Sequence, residues 1–149
     1  MDRIRPWLYI GKYRDTLDPV LLSTYKIKAM LQLAQLVEHP GISSLYLPVE
    51  DGKPLPHDLL RQGLDFVIAQ KSLEHNILIA CGAGISRSAA FTVAALREVE
   101  SISLTRAFRE VKQRHSQALP HPVVWESVCK YYGETNPYEI YRYRHNTNI

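Results

Sequence analysis

An unbroken aliphatic run, Ile77-Leu78-Ile79-Ala80, passes directly into Cys81-Gly82-Ala83-Gly84, and a helical pattern begins at Arg87. Few folds can host that join. A short apolar run with no polar alternation predicts a strand covered on both faces, the central strand of a parallel sheet. A helix that starts a few residues later must carry the chain back across the sheet. The chain is therefore expected to be α/β, with a central, mostly parallel sheet flanked by helices.

The remaining pattern agrees. Residues 7–10, closed by Gly11, read as a short strand, residues 27–33 as a buried one and residues 45–49 as another. Asp18 and Pro19 open a short helix that runs to Tyr25, with Asp as N-cap and Pro in the first turn. Leu60, Leu64, Val67 and Ile68 recur at helical spacing between His57 and Leu73. Further helices fit residues 87–99, residues 104–115 with Ser103 as N-cap, and residues 123–132 closed by Gly133. Residues 50–56 are rich in chain breakers and read as a loop. A chain of 149 residues with 46% hydrophobic and 22% charged residues suits one domain. That domain is expected over residues 1–135, followed by a polar, tyrosine-rich tail over residues 136–149 in which Tyr138, Tyr141 and Tyr143 read as solvated.

Several classes of function are excluded. No run approaches the roughly 18 apolar residues of a membrane span. No apolar core of a secretory signal follows the first charges, so a cytoplasmic location without a membrane partner is expected. Eighteen Lys and Arg stand against 15 Asp and Glu, with no block of like charge to mark a nucleic-acid arm. Nucleic acid is therefore not the expected partner. The 2 cysteines, Cys81 and Cys129, make neither a disulfide framework nor a zinc spacing, and no metal or other cofactor is expected. Cys129 shares an apolar helix face with Trp125, Val128 and Tyr132 and reads as core. His57, His75, His115 and His121 have no metal-ligand spacing and read as surface or capping residues.

Chemistry concentrates at the strand–helix join. The loop from Gly82 through Ala83, Gly84, Ile85 and Ser86 to Arg87 can curl so that its N–H groups point inward as a nest, reinforced by the positive end of the following helix. Such a cradle suits a dianion, and phosphate, sulfate or vanadate is expected to bind it. Cys81 is expected at its mouth. The field that holds a phosphate also stabilises a thiolate, the nucleophilic form of cysteine. Arg87 can fold back and offer a planar fork to two oxyanion oxygens. The Ser88 hydroxyl can bond the sulfur and make it a better leaving group.

In the form Cys81-Gly-Ala-Gly-Ile-Ser-Arg87-Ser88, this stretch resembles the signature loop of cysteine-based protein tyrosine phosphatases, and its wording is closest to the dual-specificity phosphatases. The opening Trp-Leu-Tyr-Ile-Gly, the Pro-Val-Glu-Asp-Gly loop and residues 107–120 are similar to the family as well. The resemblance implies the dual-specificity phosphatase fold and hydrolysis of phosphotyrosine and phosphoserine or phosphothreonine through a cysteinyl-phosphate intermediate. Substrates would be phosphorylated proteins or small phosphomonoesters. Cys81 would be the nucleophile, Arg87 the phosphate-binding residue, Ser88 the aid to sulfur departure, and Asp51, thirty residues before Cys81, the general acid and base. One departure stands out: the family's usual His before the nucleophile is Ala80 here. A phospho-ligand binding module without turnover and an RNA 5′-phosphatase are the alternative readings.

Overall fold

The computed structural model describes residues 1–134. The tail expected over residues 136–149, with Tyr138, Tyr141 and Tyr143, lies outside them. Among the described residues, β1 (Asp2–Arg5), β2 (Leu8–Lys12), β3 (Ile27–Gln32), β4 (Ser43–Tyr46) and β5 (Asn76–Cys81) form a sheet in the order β1-β2-β5-β3-β4. Only the β1–β2 pair is antiparallel; β2–β5, β5–β3 and β3–β4 run parallel. The chain is thus α/β with a mostly parallel sheet.

The aliphatic run forms the middle strand, as its lack of alternation requires. Ile77, Ile79 and Cys81 enter the larger core, while Leu78 and Ala80 enter a smaller cluster with Tyr9, Leu22, Ile27 and Met30. The larger core is closed by α3 (His57–Ser72), α4 (Arg87–Glu100), α5 (Leu104–Arg114) and α6 (Pro122–Tyr132), which contribute Leu64, Phe91, Phe108 and Trp125 among others. On the other face, α2 (Pro19–Thr24) supplies Leu22, and α1 (Tyr13–Thr16) precedes it. A fully buried Leu or Phe contributes about 1.5–3 kcal/mol, so this two-sided burial of β5 anchors the fold. No helix among the described residues is long and apolar enough to cross a membrane.

Local signals fix several helix ends. Asp18 accepts from the Leu21 N–H and Ser103 from the Arg106 N–H, each as the N-cap expected. Gly133 ends α6 at φ 65°. Two strand expectations need correction. β2 does not stop at Gly11 but runs to Lys12, because Gly11 and Lys12 still pair with Ala80 and Cys81. The strand expected over residues 45–49 is β4, which ends at Tyr46; Pro48 has no N–H to give to a ladder. β1 is a further strand beyond those expected; its single buried residue, Ile4, suffices to seat it beside β2.

Candidate active site

The carboxyl end of β5 delivers Cys81, and α4 begins at Arg87. Between them the chain turns at Gly84, where φ is +71°. A Cβ there would also sit 3.0 Å from the Gly11 carbonyl oxygen, so both backbone conformation and space demand glycine.

The loop's carbonyls are tethered from outside. The Tyr13 N–H donates to Gly82 O at 3.3 Å and the Leu119 N–H donates to Ile85 O at 2.9 Å. His115 Nε2 lies 2.6 Å from Gly84 O. In a planar trans peptide, a carbonyl drawn outward turns the next N–H the opposite way. The N–H groups of Ala83, Ile85 and Ser86 are therefore aimed away from these tethers, toward the concave side of the loop.

Cys81 is 2% exposed, so it forms the floor of the cradle and not its mouth; Gly82 and Ala83 make the exposed rim. Its Sγ is 3.1 Å from the Ser88 Oγ. Ser88 is fully buried in the first turn of α4, and its carbonyl accepts from the Thr92 hydroxyl at 2.7 Å. Arg87 folds back as expected. Its Nη1 donates to Val49 O at 2.9 Å and to Leu33 O at 3.4 Å, and its Nη2 comes within 3.0 Å of the place a Cβ on Gly82 would take.

Asp51 reaches the loop through Ser86. The Ser86 hydroxyl donates to Asp51 Oδ1 at 2.5 Å and accepts from the His121 N–H at 2.8 Å. That hydroxyl therefore makes no capping bond to the first turn of α4, and the helix N–H groups stay free to meet an anion. His121 caps α6 by accepting from the Val123 N–H, and its ring lies beside Gly52. Glu50, the neighbouring carboxylate, is ion-paired with Lys53 at 3.1 Å.

Sequence reasoning missed two supports. The Ser86 side chain was counted only among the loop amides, and its partners Asp51 and His121 are far away in sequence. His115, expected as a surface or capping residue, does cap the end of α5 but is 3% exposed, because it is wedged between β1 and the loop. For His121 a signal existed, since it immediately precedes Pro122-Val123 at a helix start. For His115 none did.

The model of the dual specificity phosphatase catalytic domain matches residues 8–134. The chain belongs to the dual specificity phosphatase family. Human dual specificity protein phosphatase 16 is 32% identical over 126 residues, which are 80% of this chain and 19% of that protein. Mouse dual specificity protein phosphatase 19 is 26% identical over 132 residues, 86% of this chain and 60% of that protein. The chain thus spans between a fifth and three fifths of the length of these curated relatives. Among solved structures, human DUSP28 superposes with a TM-score of 0.82 at 26% identity, covering 88% of this chain and 94% of that one. A mouse dual-specificity-phosphatase-type protein complexed with zinc tungstate gives a TM-score of 0.82 at 29% identity, covering 87% of this chain and 84% of that one. Family membership and fold therefore rest on nearly the whole described length.

Proposed function

We propose that this dual specificity phosphatase domain hydrolyses phosphate monoesters on tyrosine and on serine or threonine by a two-step, metal-independent route. The observation that carries the proposal is the convergence on one loop of a cysteine, an arginine and an aspartate, with the loop carbonyls drawn outward. In the first step the Cys81 thiolate attacks phosphorus in line as the bond to the leaving oxygen breaks. Asp51 gives its proton to that oxygen. The inward N–H groups and Arg87 hold the equatorial oxygens as charge redistributes. In the second step water attacks the cysteinyl phosphate, Asp51 takes the water's proton, and inorganic phosphate leaves as the sulfur departs with a hydrogen bond from Ser88.

Ser86 keeps Asp51 within reach of the loop, and its bond to the His121 N–H fixes the hydroxyl in turn. The tungstate of the mouse relative's complex is a tetrahedral oxyanion of the kind this loop would take. Ala80 favours a second reading, a domain that binds phosphorylated ligands without turnover. One assay separates the two. Vanadate-sensitive hydrolysis of p-nitrophenyl phosphate is expected between pH 5 and 8, with Cys81→Ser inactive and Asp51→Asn slower by about 10²–10⁴-fold. No turnover anywhere in that range, with oxyanion binding intact, selects the binding module.

A further inference from the structure

Of the three outside tethers on the loop, two are main-chain N–H groups and one is a side chain, His115. Its two ring nitrogens both make short contacts: Nε2 with Gly84 O at 2.6 Å, and Nδ1 with Asp2 Oδ2 at 2.6 Å. A backbone carbonyl and an ionised carboxylate only accept hydrogen bonds. Both contacts are hydrogen bonds at once in the form of the ring that carries a hydrogen on each nitrogen, with Asp2 as the counter-charge. Burial sharpens the requirement, because a ring that is 3% exposed has almost no water to replace a lost partner. The other charged groups bordering the cleft at this ring are Lys12, Asp15 and the Met1 ammonium, and Asp15 Oδ2 is held by the Lys12 N–H at 3.0 Å and lies 3.4 Å from that ammonium.

We propose that His115, held as an imidazolium by Asp2, is a positioning residue that locks the Gly84–Ile85 peptide with its N–H toward the bound oxyanion. This rests on the phosphatase reading of the loop. It makes β1 part of the phosphate site from a distance: Asp2 touches no substrate, yet it sets the charge and orientation of the ring that holds the peptide. In that form His115 also places a positive charge on the outer face of the loop, at a site where Ala80 contributes no polar group.

The test combines a spectroscopic and a binding readout. In the intact chain at pH 7, the ¹⁵N resonances of the His115 ring are expected to show both nitrogens protonated. His115→Gln is expected to raise the vanadate inhibition constant and the KM for p-nitrophenyl phosphate together, by about tenfold. His115→Arg, which keeps a cation with several donors, is expected to restore both to within about threefold of wild type. Should His115→Gln fail to fold, Asp2→Asn takes its place, since that carboxylate is 42% exposed; it is expected to raise the vanadate constant in the same direction. A bare ring nitrogen, or variants that bind vanadate as wild type does, overturns the proposal. A wild-type protein that neither binds vanadate nor turns over sinks the phosphatase reading instead. In that event the Ile85 amide resonance, compared between wild type and the variant, still decides the clamp: an unmoved resonance overturns it.

Discussion

At Gly84 two constraints coincide, a left-handed backbone and a 3.0 Å approach to the Gly11 carbonyl oxygen. Gly84→Ala must either strain that peptide or push β2 away. A loss of about 1–3 kcal/mol in chemical denaturation is expected, together with weaker oxyanion binding, because the tethered peptide turns with the residue. The two cysteines lie in different surroundings, Cys81 beside Ser88 at the end of β5 and Cys129 within α6. Burial, with the negative charges of Glu134 and Glu126 behind it, pushes the Cys129 thiol up to about 11. At pH 7.5 Cys129 is then almost entirely a thiol. Iodoacetamide is expected to add one carbamidomethyl group to the native chain, at Cys81, and none to Cys81→Ser, as intact mass would record. Two additions to the native chain would contradict the contrast between a nucleophile and a core residue.

Among the elements, β1 depends most on charge. It has one buried side chain, and Arg5 ties it to the helical layer through Glu100 at 2.7 Å and Glu110 at 2.6 Å. The hydrogen bond from Arg5 holds the Glu100 carboxyl below the usual glutamate range, against a smaller opposing effect of burial. A carboxylate whose pKa is lowered by folding stabilises the native state fully above its unfolded value, near 4.3, and loses that contribution as pH falls through its folded value. Arg5→Ala is therefore expected to cost about 1 kcal/mol at pH 7 and less at pH 3, read from urea midpoints of the two proteins at both pH values. Since β1 carries Asp2, this pin also bears on the His115 contact. α3 and α6 are both fixed to α4 by a different set: Arg61 of α3 bonds Glu98 at 2.9 Å, Tyr132 of α6 donates to Glu98, and Arg97 bonds Glu134, just past α6, at 2.5 Å. That placement holds His121, and so Ser86 and Asp51, in line.

For the whole molecule, strand order matters most. Parallel strands β2, β5, β3 and β4 point their carboxyl ends the same way, and ligands of such sheets gather at that end. There the Tyr13 N–H after β2, the Leu33 carbonyl after β3, the Val49 carbonyl beyond β4 and Cys81 of β5 all meet at one loop. Because the site is built from four segments, an oxyanion that fills it should stabilise the entire domain. Tungstate at about 100 times its dissociation constant is expected to add about 2.7 kcal/mol. For a domain of this size the melting temperature then rises by several degrees. Arg87→Ala should lose most of that rise; an equal rise in the variant would mean that the anion binds elsewhere.

The join of an aliphatic strand, a small-residue loop and a helix was legible because each part is local. Ile77-Leu78-Ile79 has no polar face, Gly84 alone tolerates the turn, and the helix pattern starts on cue. So the class of fold, the central strand, most helix ends and the family resemblance could all be read directly from the residues in order. The support of the loop could not. Ser86 meets Asp51 across 35 residues and His115 meets Asp2 across 113, and no local pattern marks either pair. β1 hid for a related reason: a strand with one apolar residue is stable only because β2 and two glutamates on distant helices receive it. Local propensity is written in neighbouring residues, whereas the direction of a carbonyl, the charge on a buried ring and the reach of an acid are set by whatever the folded chain packs against them.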